Sequence, residues 1–138
     1  MRYLAWAVVA LLAYSLVPPL VKVATADLPS NVVLLISNGI LITVVVVVVI
    51  LSDVSVTPYL THSKAVYAYG AGIALAVGII AYYRALAAGP ISVVVPIFGM
   101  FIATSSIIGI AFLDESLTAR KVTGIALAMV AVYLTAVE

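Results

Sequence analysis

Long apolar segments alternate with short polar ones along the whole chain. The five apolar segments are residues 3–21, 32–51, 65–87, 91–113 and 122–137. Charged residues lie near the ends of these segments rather than in their middles. Because a helix needs about 20 mostly apolar residues to cross the hydrocarbon core of a bilayer, the pattern predicts five transmembrane helices.

The segments are expected to be helices rather than strands, although valine is frequent. An open strand cannot cross lipid, because its backbone N–H and C=O groups would lack partners there. A transmembrane barrel needs segments of about ten residues that alternate apolar and polar positions, and residues 44–51 are apolar throughout. We therefore predict an all-α integral membrane protein, with residues 1–138 forming one domain.

Composition supports lipid as the solvent of this chain. Apolar residues make up 67% of the sequence and charged residues 8%, against about 45–50% and about 25% in soluble domains. A soluble domain of about 150 residues still exposes about a third of its unfolded-chain surface, and this chain has too few polar residues to cover it. The composition argues against a soluble enzyme, a disordered chain and a nucleic-acid-binding protein.

Residues that carry enzyme or metal chemistry are scarce. The chain has no Cys and one His, His62, so we expect no metal centre and no cofactor. The sequence has no Ser/His/Asp set and no phosphate-binding glycine loop. We therefore expect that the protein is not an enzyme.

No Asp or Glu lies in the middle of a predicted helix. A proton-coupled exporter of cationic drugs would be expected to have a carboxylate there.

The first segment also has features of a cleaved secretory signal. Arg2 precedes an apolar run that is followed by small residues at 24–26, as at a signal cleavage site. However, the run is longer than the 7–15 apolar residues that are typical of a signal. Lys22 and Pro18-Pro19 also lie close to the cleavage position. We therefore expect a retained helix, and a mature chain starting at Asp27 would contradict five crossings.

Lys and Arg positions predict the orientation in the cell membrane. With five crossings, one side receives Lys22 and Arg84, and the side of the N-terminus receives four basic residues: Arg2, Lys64, Arg120 and Lys121. Basic residues are enriched on the cytoplasmic side, so we expect a cytoplasmic N-terminus and a C-terminus outside. A bias this small is also typical of a chain that inserts in both orientations.

Prolines interrupt two of the predicted helices. Pro18 and Pro19 follow Tyr14-Ser15 in the first segment, and Pro96 precedes Gly99 in the fourth. A proline leaves a carbonyl without its helical donor, and in lipid that carbonyl needs protein or a wet cavity as partner. Two interpretations remain open, a plain kink and a cavity wall. We predict Pro18, Pro19, Pro96 and Gly99 as positions of kinking or gating.

Other polar and small residues inside the segments suggest helix contacts. Asn38 needs a partner in lipid, either on another helix or on a substrate. Lys22 near the end of the first segment is expected to extend to the headgroups or to bind an anionic group. Gly70, Ala74 and Gly78 lie four residues apart, a spacing typical of close helix packing that also serves dimers.

Several short motifs resemble the EamA-like domain of the drug/metabolite transporter superfamily. They are an aromatic-x-Ala-Leu motif at residues 82–86, a Gly-Pro turn at 89–92 and a proline at 96 in the next helix. A Leu-x-Glu-x-Leu-Thr motif at residues 113–118 and a glycine at 124 follow. Lys22 matches a lysine of the family pattern, whereas Tyr14-Ser15 replaces its usual Trp-Gly. Ser37-Asn38 lies where the family often has an arginine, and Asp114 replaces a glycine.

The resemblance implies half of a ten-helix inverted-repeat transporter. Family members typically pair two such domains in opposite orientation around a cavity lined by the first, third and fourth helices. We therefore expect a homodimer, antiparallel so as to restore the inverted repeat, or a partnership with a second five-helix chain. The expected substrate is a small polar or amphipathic metabolite, with contacts from Tyr14, Ser15, Lys22, Asn38 and Tyr82. The alternative function is a membrane scaffold or partner subunit that does not itself transport.

Overall fold

A computed structural model describes residues 2–112 and 118–136, and these residues form helices and connecting turns without strands. The helices are α1 (Arg2–Asp27), α2 (Ser30–Leu51), α3 (Thr57–Leu60), α4 (Ala65–Ala88), α5 (Ile91–Gly99), α6 (Phe101–Phe112) and α7 (Ala119–Ala136). The prediction of an all-α chain is confirmed for the described residues.

Four stretches of the described residues are long and apolar enough to cross a membrane. They are Tyr3–Asp27, Ser30–Leu51, Ala65–Ala88 and Ile91–Phe112. Their apolar side chains are largely exposed, as for Leu35 at 74%, because a helix in lipid has no need to hide such surface. The last predicted segment falls in α7, which is not among these four stretches. The fifth crossing therefore stays a prediction.

The first two helices differ in extent from the predicted segments. α1 continues to Asp27, past the expected end at residue 21. Its polar residues fit inside the helix, since the Thr25 hydroxyl donates to the Val21 carbonyl at 2.8 Å. α2 begins at Ser30, directly after Pro29, because a proline at a helix start has no N–H to leave unpaired.

The fourth predicted segment is divided at Met100 into α5 and α6. Pro96 has no N–H and cannot donate to the carbonyl four residues earlier in α5. Downstream, the Met100 N–H donates to the Ile97 carbonyl at 3.2 Å, a tighter turn than the α-helix makes. The Phe98 and Phe101 rings lie on either side of this turn, with centroids 5.2 Å apart.

The chain separates into two compact units. The terminal unit comprises residues 1–19 and 88–138. Among its described residues, α7 packs against α5 and α6, and Ala103 on α6 is buried.

The central unit comprises residues 20–87. Its buried apolar residues come from the end of α1 (Val21), the start of α2 (Val33) and the end of α4 (Tyr82, Tyr83 and Leu86). These three helix ends therefore meet at one end of the central unit, around a small apolar core.

Candidate functional site

The predicted site residues fall in both units. Lys22, Asn38 and Tyr82 belong to the central unit, and the remaining six belong to the terminal unit: Tyr14, Ser15, Pro18, Pro19, Pro96 and Gly99. The polar contacts between helices described below all lie within the central unit.

Lys22 binds the C-terminal end of α4. Its ammonium donates to the Leu86 carbonyl at 2.8 Å and lies 3.4 Å from the Ala87 carbonyl. The last carbonyls of a helix have no partner within that helix, and the helix end carries a partial negative charge that favours a cation. Lys22 thus makes a contact between two helices, and its extension to the headgroups stays a prediction.

Ser37 on α2 and Tyr83 on α4 form a second polar contact. Their hydroxyl oxygens lie 2.9 Å apart. Ser37 also lies 2.9 Å from the Val33 carbonyl, which accepts its single hydroxyl hydrogen, so Tyr83 is the donor. With Tyr83 only 4% exposed, its hydroxyl needs such a partner. This hydrogen bond ties α2 to α4.

Asn38 and Tyr82 are the other two predicted substrate contacts in the central unit. The Asn38 amide donates to the Leu34 carbonyl of its own helix at 2.9 Å, whereas the contact to another helix is made by Ser37. Tyr82 is buried with Tyr83 and Leu86. The bond from Asn38 to Leu34 uses one of the two N–H donors of the amide.

Tyr14 and Ser15 lie on an exposed stretch of α1 in the terminal unit. Tyr14 is 72% exposed, and the Ser15 hydroxyl donates to the Leu11 carbonyl at 2.7 Å. Pro18 and Pro19 lie inside α1 and cannot donate to the carbonyls of Tyr14 and Ser15, four residues earlier. The prolines therefore leave the Tyr14 and Ser15 carbonyls without their usual α-helical donors.

Membrane helices, a polar cluster at helix ends and prolines inside two helices are features of a transport protein. The model of the EamA-like transporter family matches residues 1–137. The chain belongs to this family. No curated protein and no solved structure matches the chain at a significant level.

The motifs that resembled the EamA-like pattern have distinct places in the structure. Residues 82–86 form the end of α4 and include the buried Tyr83 and Leu86. Pro90 lies just before α5, and Pro96 inside it. Residues 113–117, with Asp114 and Glu115, lie outside the described residues.

The single histidine of this EamA-like chain lies in the connection between α3 and α4. His62 lines a shallow, mainly apolar cavity of about 350 Å³ together with Tyr59 and Tyr69. Its Nδ1 accepts from the Lys64 backbone N–H at 3.2 Å. Among the described residues, no group of three His, Cys, Asp or Glu lies close enough to hold a metal ion.

Sequence reasoning missed Tyr83 and the contact that Ser37 makes with it. Tyr83 precedes Leu86 and Ala87 by three and four residues, so the three share one helix face. Tyr83 therefore lies on the same face of α4 as the two residues whose carbonyls Lys22 binds. The sequence offers two adjacent tyrosines, however, and helical spacing does not say which one meets α2.

Proposed function

We propose that this chain is a subunit of a multi-pass transporter that moves a small polar or amphipathic metabolite by alternating access. Membership of the EamA-like transporter family over residues 1–137 carries the proposal. The proposal includes five crossings, with α7 as the fifth, a cytoplasmic N-terminus and a location in the cell membrane.

Tyr14 and Ser15 are the proposed primary substrate contacts. The exposed Tyr14 hydroxyl supplies a donor, and the carbonyls freed by Pro18 and Pro19 supply acceptors. A polar metabolite needs both kinds of partner to leave water without losing its hydrogen bonds. Tyr82 and Asn38 are proposed as further contacts.

Lys22 is the proposed contact for an anionic group of the substrate. In the structure its ammonium holds α4 carbonyls at 2.8 and 3.4 Å. A carboxylate or phosphate that replaces these carbonyls gains a charge-assisted hydrogen bond. It also releases the end of α4 from α1. Binding of the substrate is in this way coupled to movement of a helix.

The division between α5 and α6 is the proposed flexible point of the transport cycle. Alternating access needs helices that move against each other around the substrate. Pro96 and Gly99 precede the turn at Met100, where regular α-helical bonding is interrupted. We propose that α5 and α6 change their mutual angle at this turn as the cavity opens to either side.

The proposed partner is a second copy of this chain in the opposite orientation. One EamA-like domain supplies five helices, and an inverted pair supplies the two-sided cavity that alternating access requires. The modest difference in Lys and Arg between the two sides of the chain is compatible with insertion in both orientations.

Uptake into proteoliposomes tests the proposed function. The purified chain is reconstituted alone and supplied with a panel of labelled amino acids, sugars, nucleosides and organic acids. We expect uptake of at least one compound above that of empty vesicles. Tyr14→Phe should slow that uptake, and Tyr3→Phe, at an equally exposed tyrosine, should not. Absence of uptake, with uptake restored by a second five-helix chain, would instead identify a partner subunit.

A further inference from the structure

A crevice between α6 and α7 in the terminal unit is not used by the proposed transport mechanism. It has a volume of about 280 Å³. Its apolar walls are formed by Ile102, Ala103 and Ile110 of α6, and by Ile125 and Ala128 of α7. Ligand pockets for whole small molecules have volumes of about 300–1,000 Å³, so this crevice is suited to part of a molecule.

Beside Gly124 the crevice leaves open space, although α7 and α6 are in contact elsewhere. Small residues in membrane helices usually bring two backbones close together. A Cβ atom added to Gly124 on α7, however, would meet no atom of the described residues within 4 Å. Leaving this space empty in a bilayer is unfavourable, because its lining would lose dispersion contacts on one side. An alkyl chain is the filling that its apolar walls favour.

The charge in the crevice comes from Lys121. This residue lines the crevice and lies in the first turn of α7, where the helix dipole adds positive potential. On the opposite wall, Ser106 donates its hydroxyl hydrogen to the Ile102 carbonyl at 2.7 Å. An ammonium has three N–H donors, so Lys121 can bind a phosphate oxygen in addition to another acceptor.

We propose that the crevice between α6 and α7 binds an anionic phospholipid, with an acyl chain between the helices and its phosphate at Lys121. This inference rests on the proposed fifth crossing by α7, whose start would then lie near the interface, where lipid phosphates are found. Basic pockets between transmembrane helices are suited to anionic headgroups. The site combines both requirements of such a lipid, an apolar slot and a cation at its end.

Native mass spectrometry of the purified chain in detergent tests the phosphate contact. The probes are phosphatidylglycerol and phosphatidylcholine with identical acyl chains. We expect the wild-type chain to bind phosphatidylglycerol more tightly. Lys121→Gln should weaken that binding about fivefold and leave phosphatidylcholine binding unchanged. Arg120→Gln is the matched control, since Arg120 is the adjacent basic residue and does not line the crevice. Equal weakening by both variants would overturn the proposal in favour of diffuse attraction.

A second variant tests the position of the acyl chain. Gly124→Leu fills open space, so the helix should fold while both lipids lose binding. Gly78→Leu is its control, because Gly78 also has open space around it and lies on α4, away from the crevice. Wild-type binding of both lipids by a folded Gly124→Leu variant would exclude the crevice as the lipid site.

Discussion

The ammonium of Lys22 donates a 2.8 Å hydrogen bond to the carbonyl oxygen of Leu86, a residue that is itself fully buried. This contact joins the second half of α1 to the last turn of α4 within the central unit. It pairs a cation with carbonyls that lack a partner in their own helix, and in lipid neither group has water as a substitute. The contact therefore stabilises the central unit and gives an anionic ligand a group to displace.

Replacing Lys22 should destabilise the protein. We expect Lys22→Met to lower the free energy of unfolding by about 1.5–3 kcal/mol, the usual contribution of a hydrogen bond to a charged group. Lys22→Arg should retain most of the stability. Thermal unfolding in detergent measures the effect, with Lys64→Met as control because Lys64 is exposed before α4. Equal stability of the two methionine variants would contradict a stabilising role for Lys22.

The Ser37–Tyr83 hydrogen bond should appear as a coupling between the two residues. We expect a double-mutant cycle of Ser37→Ala and Tyr83→Phe to give about 0.6 kcal/mol, the average for hydrogen bonds between membrane helices. Unfolding by a denaturing detergent provides the measurement. Tyr67→Phe with Ser37→Ala is the control pair, since Tyr67 is 76% exposed. A control pair as strongly coupled as the test pair would argue against the contact.

Removing Pro96 should make the divided helix more rigid. Pro96→Ala restores an N–H for the carbonyl four residues earlier, so we expect stability to rise by up to about 3 kcal/mol and transport to slow several-fold. Pro58→Ala is the control, because Pro58 lies at the start of α3, where a proline costs little. Thermal unfolding and initial uptake rates are measured together. Unchanged uptake by a stabilised Pro96→Ala variant would refute flexing at this position.

The orientation of the subunits can be tested with single cysteines, because the chain has none of its own. Ser55→Cys and Leu28→Cys lie beyond opposite ends of α2. In an antiparallel dimer, a membrane-impermeant maleimide should label each variant from both sides of the membrane. Labelling of Ser55→Cys from one side and Leu28→Cys from the other would identify a single orientation and exclude the antiparallel pair.

Much of the fold followed from the linear pattern, because apolar length alone decides whether a helix can cross lipid. The stretches around residues 32–51, 65–87 and 91–113 are recovered as α2, α4 and α5–α6. Pro96 also marked the helix that is divided, although the division lies at Met100. The end of α1 was less predictable, because Lys22 and Thr25 are polar and the helix nonetheless continues through them to Asp27.

The candidate site was predictable only in part. Lys22 is noticeable in the sequence because it is a charged residue that follows two prolines. Its partners are backbone carbonyls. Every residue has such a carbonyl, so no sequence motif could identify them. Asn38 has the more polar side chain, but its amide donates to a carbonyl four residues earlier in its own helix. The smaller Ser37 makes the contact to α4 instead.

The sequence by itself determined the solvent, the helical state and the family of this protein, because these depend on apolar content, on backbone hydrogen bonding in lipid and on motif order. The tertiary structure decided which polar groups pair, Lys22 with the end of α4 and Tyr83 with Ser37. It also decided that α6 and α7 leave a crevice at Gly124. Pairing and space depend on how helices are rotated and spaced against each other, and neighbouring residues on one helix differ in direction by about 100°.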